Sequence, residues 1–143
     1  MPEAMTEQEM RYFLLAKPAH TGKVATVRAD GRPHVTPVWY DVEGDTLLFT
    51  TWHDTVKAAN LEESAAVALC VDDEAPPFSF VIVEGTADVQ KEPPDLKYWA
   101  MRIAARYMGE DRAEAFGERN AVPGEWLVRV RIEKMIGTKD MAD

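Results

Sequence analysis

Apolar and polar positions near the start of the chain follow the period of a helix. Residues 6–9 have the form of a capping box, in which the Thr6 hydroxyl accepts from the backbone of Glu9 and the Glu9 side chain returns the bond. The apolar residues that follow recur at spacings of three and four: Met10, Phe13 and Leu14. Since the ring of Pro18 blocks continuation, the pattern predicts a short amphipathic helix that ends before that residue.

Most of the remaining chain follows the period-two pattern of strands. The predicted strands are residues 24–27, 35–40, 47–51, 67–71, 78–89 and 126–132. Asp30-Gly31 is a strong hairpin signal and Glu43-Gly44-Asp45 is a second turn, so the first three strands are expected to form a meander. Pro33 and Pro37 cannot donate ladder hydrogen bonds, which predicts that the second strand is bulged or lies partly at an edge.

Three further helices are predicted around these strands. They cover residues 56–61, capped by Asp54, residues 95–107, and residues 111–119 after Gly109. Five or six strands with short connections and a few helices favour a mainly β fold with flanking helices, built as a small closed or half-closed antiparallel barrel. With 143 residues, the chain is expected to form a single domain over residues 1–143.

Composition narrows the partners that the chain can have. Hydrophobic residues make up 46% and charged residues 29%, as in globular proteins. The net charge is −9 and the pI is near 4.8, so we expect no nucleic acid and no membrane as partner, because both need a basic surface. A small-molecule partner is expected, and a local cation such as Lys57 can still line an anion pocket.

The sequence also bears on the cellular location of the protein and on the role of its cysteine. The apolar runs are only a few residues long, and Glu3, Glu7 and Glu9 precede any apolar stretch, which is unlike a secretory signal, so we expect a cytoplasmic protein. Cys70 is the single cysteine and lies in a strand-like run, so it is interpreted as core filling.

Motifs for common chemistries are missing. His20, His34 and His53 lack ligand spacing, so no metal site is expected, and no GxSxG, P-loop or GxGxxG sequence occurs. No side chain is expected to act as a catalytic nucleophile. The residues by themselves predict a β-barrel domain with an anion-binding patch around Thr50, Thr51 and Lys57.

Several segments, in order, resemble the pyridoxamine-phosphate-oxidase-like split-barrel superfamily, in particular its deazaflavin-dependent and FMN-binding branch. The segments are residues 22–27, 30–33, 35–40, 50–51, 57–61, 83–87 and 106–110. Each is weak alone, whereas their order and spacing together are fairly specific. The resemblance covers most of the chain.

The resemblance implies a split antiparallel β-barrel that forms a homodimer, with two cofactor sites between the subunits. It implies coenzyme F420 as the cofactor, with FMN as the alternative. The second strand, with Val35, Thr36, Pro37, Val38 and Trp39, is expected to run beside the cofactor ring. Thr50, Thr51 and Lys57 are expected to hold the phosphate, and Asn60 is one helical turn beyond Lys57.

Two positions bear on the identity of the cofactor and the activity. Many relatives have an arginine one or two residues before the lysine, where this chain has Val56 and Thr55. Phe80 stands where the oxidase has a polar side chain near the ring, which is similar to the deazaflavin branch. The leading hypothesis is a deazaflavin-dependent oxidoreductase that transfers hydride to a small conjugated acceptor. The alternatives are an FMN-binding reductase and a non-enzymatic cofactor carrier.

The aromatic residues of the second and third strands allow two roles. Trp39 is either a core or interface aromatic or a ligand contact, and both roles can coexist. Each monomer is expected to expose an apolar face that includes some of Trp39, Tyr40 and Trp52, which the partner subunit covers.

Overall fold

Four helices pack on one antiparallel sheet in the computed structural model, which describes all residues from 1 to 143. The helices are α1 (Glu7–Leu14), α2 (Val56–Glu63), α3 (Leu96–Met108) and α4 (Ala113–Asn120), with a 3₁₀ turn at Glu110–Arg112. The strands are β1 (Glu3–Ala4), β2 (Gly22–Val27), β3 (Pro33–Val38), β4 (Asp41–Glu43), β5 (Thr46–Trp52), β6 (Ala66–Asp73), β7 (Ser79–Gln90) and β8 (Glu125–Lys139). No helix is both long enough and apolar enough to cross a membrane.

The sheet curls so that its two edges meet. Its strand order is β3-β2-β6-β7-β8-β5-β4, and β1 pairs with the end of β8. The edge strands β3 and β4 follow each other in the chain and are joined by only Trp39 and Tyr40, so the two edges must lie close together. No ladder joins β3 to β4, which leaves one open seam, as a split barrel requires. The prediction that the proline-containing strand lies at an edge is confirmed.

Strand alternation builds the barrel interior. Val24, Leu69, Val83, Phe49 and Val128 each come from a different strand, and all are at most 1% exposed. Because successive strand residues face opposite sides, the neighbours of these residues face outward or toward the helices. The main core is therefore an apolar cluster of 15 buried residues inside the curled sheet, and a second, smaller cluster joins Leu48 and Leu127 of the sheet to Trp99 of α3.

The last strand is longer than predicted because a bulge interrupts its alternation. Glu84 pairs with Lys134 and Gly85 with Ile132, so Glu133 is the extra residue. The inward positions are even-numbered up to Ile132 and odd-numbered from Met135 onward. A period-two pattern therefore stops at Ile132, although the strand continues to Lys139. A side chain at Gly85 would meet the Arg131 carbonyl oxygen at 2.1 Å, so this crossing needs a glycine.

Of the two helix caps predicted from the sequence, one is confirmed and the other is wrong. The capping box of α1 is confirmed, since the Glu9 amide donates to the Thr6 hydroxyl at 3.1 Å and the Thr6 amide to the Glu9 carboxylate at 3.0 Å. The predicted cap of α2 by Asp54 is wrong, because the Thr55 hydroxyl accepts from the Ala58 amide. Thr55 is one residue closer to the helix, where its side chain reaches the free amides of the first turn.

Cys70 is not core filling. Val67, Leu69 and Val71 of β6 are buried, so the alternation places Cys70 on the opposite, outer face, where it is partly exposed. Its partial burial, with Asp72 nearby, raises the pKa of the thiol, which keeps it protonated at neutral pH.

Candidate functional site

A small polar cavity lies where the seam of the barrel meets the helices. Its volume is about 200 Å³, and the residues that line it are Pro37, Val38, Trp39, Thr50, Lys57, Ala100, Ile103, Asn120 and Glu125. We call this cavity the seam pocket. The end of β3, the middle of β5, α2, α3, the end of α4 and the start of β8 all contribute to it. The seam pocket brings together five of the predicted site residues: Pro37, Val38, Trp39, Thr50 and Lys57.

Thr50 and Thr51 cannot both line this pocket, because adjacent residues on a strand face opposite sides. Thr50 lies in the seam pocket. The Thr51 side chain faces the other way and is 3% exposed, with its hydroxyl 3.3 Å from the hydroxyl of Thr55. The structure therefore places Thr51 under the start of α2, where it supports the helix that carries Lys57.

Other predicted site residues lie outside the pocket. Asn60 is 5% exposed and donates its side-chain amide to the Thr26 hydroxyl at 3.0 Å, so it joins α2 to β2. Thr36 lies opposite Val24 on the edge strand. Val35 is 65% exposed, on the outer face of the sheet. Phe80 lies near the start of β7 and pairs with Asp72, away from the residues that line the pocket.

Lys57 is the cation of the seam pocket. Its side chain is half-buried, with Nζ 5.9 Å from the centre of the Phe49 ring, and no carboxylate lies within the 4.0 Å of an ion pair. Burial lowers the pKa of the ammonium, while the charge of Glu125 acts in the opposite direction. Lys57 is therefore a partly desolvated positive charge without a close counter-ion.

Glu125 is a site residue that the sequence did not reveal. Burial raises the pKa of its carboxyl, whereas the Thr50 hydroxyl and the Lys57 ammonium lower it. In sequence, Glu125 only follows the Pro123-Gly124 turn, which is an ordinary place for a surface carboxylate. Only the pairing of Glu125 with Trp52 puts it on the same face of the sheet as Thr50.

One aromatic ring, that of Trp39, lines the pocket at the seam, and rings of α3 and α4 pack against it. The Trp39 ring stacks on Tyr107 of α3, with ring centres 5.2 Å apart and an angle of 5° between the planes, and it also touches Phe116 of α4. Tyr40 is fully buried and donates its hydroxyl to the Leu14 carbonyl at 2.6 Å. Of the three aromatic residues proposed for an exposed apolar face, Tyr40 is therefore excluded, whereas Trp52 is 43% exposed.

Two residues of α3 fasten the seam beside the pocket. The Arg106 guanidinium donates to the carbonyls of Tyr40 and Leu14, the latter at 2.9 Å. The Tyr107 hydroxyl accepts from the Tyr40 amide at 3.3 Å and donates to the His20 carbonyl at 2.8 Å. These bonds satisfy backbone groups that lie outside the strand ladders, and they connect α3 to the link between β3 and β4, to the end of α1 and to the segment before β2.

A second surface lies on the outer side of the sheet from β3 to β8. Cross-strand pairing puts apolar side chains of five strands on this side. We call this surface the outer apolar face, and its members are Ala25, Val27, Val35, Ala68, Ile82 and Ile136. Val27 and Val35, on adjacent strands, are 43% and 65% exposed, and Ile136, three strands further along the sheet, is 42% exposed, so aliphatic surface is left in water across this side.

The side chains of the seam pocket suit the binding of a small anion. One ammonium, one hydroxyl and an aromatic wall converge there, together with a carboxyl group whose charged form is disfavoured by burial. No group of three or more His, Cys, Asp or Glu side chains in the structure is arranged to hold a metal ion. The arrangement therefore supports binding and orientation, with Lys57 and Thr50 as donors to the anion.

Comparison with known proteins defines the class. Residues 6–139 match the family described as pyridoxamine 5'-phosphate oxidase, so the chain belongs to this family, and the resemblance seen in the sequence is confirmed.

Two relatives and one more distant structure illustrate the match. The F420H(2)-dependent biliverdin reductase of Mycobacterium tuberculosis is 28% identical over 126 residues, which are 87% of this chain and 83% of that protein. A solved structure described as an F420 reductase is also 28% identical, with a TM-score of 0.68 over 87% of this chain and 94% of the other. A FAD-binding protein from Mesorhizobium loti is 18% identical, with a TM-score of 0.72 over 96% of each chain, and indicates the shared fold alone.

Proposed function

We propose that this protein is a homodimeric oxidoreductase that uses the deazaflavin coenzyme F420 and holds the phosphate of the cofactor in the seam pocket. The observation that carries the proposal is the half-buried ammonium of Lys57, which lies beside the Thr50 hydroxyl without an ion-pair partner. Burying a charge costs free energy unless a partner is present, and a phosphate is a partner that both donors fit. The two relatives whose names include F420 support this cofactor.

The cofactor ring must lie outside the seam pocket. A volume of about 200 Å³ accommodates a phosphate group, whereas sites for whole small molecules usually measure roughly 300–1,000 Å³. Pro37, Val38 and Trp39 lead from the pocket along the edge strand β3. An edge strand has backbone groups without ladder partners, and these groups can meet the polar edge of a ring.

The remaining wall of the ring site is assigned to a second copy of the chain. Val35, Val27 and Ile136 of the outer apolar face are exposed in the single chain, and β3 belongs both to this face and to the pocket rim. A partner seated on the outer apolar face would bury these side chains and would lie next to the ring. The family resemblance, which implies sites built from both subunits, supports the same arrangement.

In this mechanism the bound F420 supplies the hydride, and the protein binds, orients and excludes water. Lys57 and Thr50 would hold the phosphate of the bound cofactor and would thereby orient its ring toward β3. Trp39, held flat against Tyr107, gives the pocket a rigid apolar wall. The acceptor is proposed to be a small conjugated molecule, and the name of the biliverdin reductase makes a tetrapyrrole the first class to test.

Parallel titration of the apo-protein with F420 and with FMN tests the identity of the cofactor. We expect tighter binding of F420, measured by fluorescence quenching. Tighter binding of FMN, with a yellow protein as purified, would replace the proposal by an FMN-binding reductase, because both cofactors present a phosphate to Lys57.

Turnover separates an enzyme from a carrier. Reduced F420 should be oxidised in the presence of biliverdin or a quinone, followed by the return of F420 absorbance. Tight binding with no turnover across tetrapyrrole and quinone acceptors would favour the non-enzymatic carrier. Light scattering should give about twice the monomer mass of 16.1 kDa, and a monomer at micromolar concentration would contradict the two-chain site.

A further inference from the structure

Lys57 and Glu125 share the seam pocket without touching. They are the two charged residues that line it, and they do not approach within ion-pair distance. Two lysines beside the neighbouring cavity are paired instead, Lys91 with Glu62 at 2.7 Å and Lys97 with Glu118 at 3.5 Å. An anion that enters to bind Lys57 therefore meets a carboxyl group in the same 200 Å³.

The backbone fixes the position of Glu125. Its amide donates to the Val122 carbonyl at 3.0 Å, and the carbonyl of Gly124 accepts from the His53 amide at 2.8 Å. Gly124 has a φ of +97°, a conformation that a glycine adopts without strain. Because the start of β8 is held in this way and is paired with Trp52, an arriving anion cannot displace the carboxyl by moving the strand.

Other charged groups surround the same carboxyl from a distance. A neighbouring cavity of about 670 Å³ shares Glu125 as a lining residue, and the ionisable side chains on that side are His53, Lys91, Glu92 and Lys97. Lys91 and Lys97 are paired with Glu62 and Glu118. Lys57, on the side of the seam pocket, is thus the cation that acts on Glu125 most directly, with the Thr50 hydroxyl as its polar neighbour.

Two negative groups in so small and partly desolvated a space repel each other, which favours the protonated form of the carboxyl group. We propose that Glu125 is a phosphate-binding residue in its protonated form, so that it takes up one proton from solvent when the cofactor phosphate enters the seam pocket. The protonated carboxyl then donates a hydrogen bond to a phosphate oxygen, while Lys57 neutralises the phosphate charge. The inference rests on the proposed function, since it needs a phosphate in this pocket. The raised pKa of the Glu125 carboxyl, caused by burial, makes the uptake easier than for an exposed glutamate.

Calorimetric titration in buffers of different ionisation enthalpy tests this coupling. F420 is titrated into the wild-type protein and into Glu125→Gln, each in PIPES and in Tris at the same pH above neutrality. We expect the wild type to take up close to one proton per bound cofactor and the variant to take up none. The Kd of the wild type should rise by up to about tenfold per pH unit once the free carboxyl is ionised, and the Kd of the variant should stay flat.

Glu133→Gln is the matched control, because Glu133 lies on the same strand but is exposed and pairs with Arg131. This variant should behave as the wild type. Proton uptake that persists in Glu125→Gln would assign it to Lys57 or another group and overturn the inference while leaving the cofactor site intact. Failure of both F420 and FMN to bind the wild type would instead overturn the proposed function, and the inference with it.

The apo-protein gives an independent readout. A glutamate whose pKa is raised on folding contributes stability that is fully present below its unfolded value of about 4.5 and is lost as the pH rises through the folded value. The free energy of unfolding of the wild type relative to Glu125→Gln should therefore fall as the pH is raised from 4.5. A difference that is constant with pH would show that Glu125 is ordinarily solvated and would contradict the inference.

Discussion

Two neighbouring regions of the molecule hold charged side chains near Trp39 and Tyr40, and they differ in how those charges are satisfied. At the fastened seam, Arg106 donates hydrogen bonds to the backbone carbonyls of Tyr40 and Leu14. In the seam pocket, Lys57 and Glu125 are half-buried and have no ion-pair partner. A buried charge with a complete set of partners supports the fold, whereas one without partners is retained at a cost in stability. We therefore expect the first region to act in folding and propose that the second acts in binding.

Replacing Arg106 with methionine should have the largest effect on folding. The change keeps the aliphatic packing but removes the charged donor from the carbonyls of Tyr40 and Leu14. We expect the free energy of unfolding to fall by roughly 2–4 kcal/mol, measured by urea denaturation. Arg112→Met is the control, since Arg112 is exposed and rests only on the Phe116 ring. If both variants lost the same free energy of unfolding, the hydrogen bonds of Arg106 would not be what stabilises the seam.

Lys57→Ala should affect binding and not folding. Loss of a charge-assisted contact in a partly buried site is worth about 1.5–3 kcal/mol, so the Kd of F420 should rise about tenfold or more. The thermal stability of the apo-protein should be unchanged or slightly higher, because burial disfavours the charged lysine. Lys97→Ala, on an exposed part of α3, should leave the Kd unchanged. Unchanged F420 affinity in a normally folded Lys57→Ala protein would remove Lys57 from the site.

The two threonines of β5 provide a smaller and sharper comparison. Thr50→Val should weaken F420 binding roughly three- to tenfold, the loss of one hydrogen bond, and leave unfolding unchanged. Thr51→Val should leave F420 affinity unchanged and lower the free energy of unfolding by about 0.5–1 kcal/mol, because its hydroxyl faces Thr55 under α2. Fluorescence titration and urea denaturation of both variants measure the two effects. If Thr51→Val weakened F420 binding and Thr50→Val did not, the cofactor would lie on the other face of β5.

Local signals in the sequence predicted the elements well. The capping box at Thr6, the Asp30-Gly31 turn and the prolines of β3 each act over a few residues, and each has the predicted outcome. The end of β8 escaped prediction because the bulge at Glu133 changes which residues face inward, and nothing in the local pattern announces it.

The candidate site was predicted less completely, for reasons of long-range geometry. Lys57 and Thr50 come from a recognisable order of segments, and both lie in the pocket. The side chains of Thr51 and Asn60 are equally suitable for binding a phosphate. They point inward, however, because strand residues alternate between the two faces of β5 and because α2 packs on β2. Glu125 enters only through the pairing of β5 with β8, across more than seventy residues of sequence, which no short motif encodes.

A crystal structure of the F420 complex tests the division between a fastened seam and a binding pocket most directly. We predict phosphate oxygens within about 2.7–3.2 Å of Lys57 Nζ, the Thr50 hydroxyl and the Glu125 carboxyl, with the Arg106 bonds to the backbone unchanged. The cofactor ring should run along β3 against a second copy of the chain. A phosphate bound at the guanidinium of Arg106, or in the cavity of about 820 Å³ beside α1 that Phe13, Lys17 and His20 line, with the seam pocket empty, would contradict this prediction.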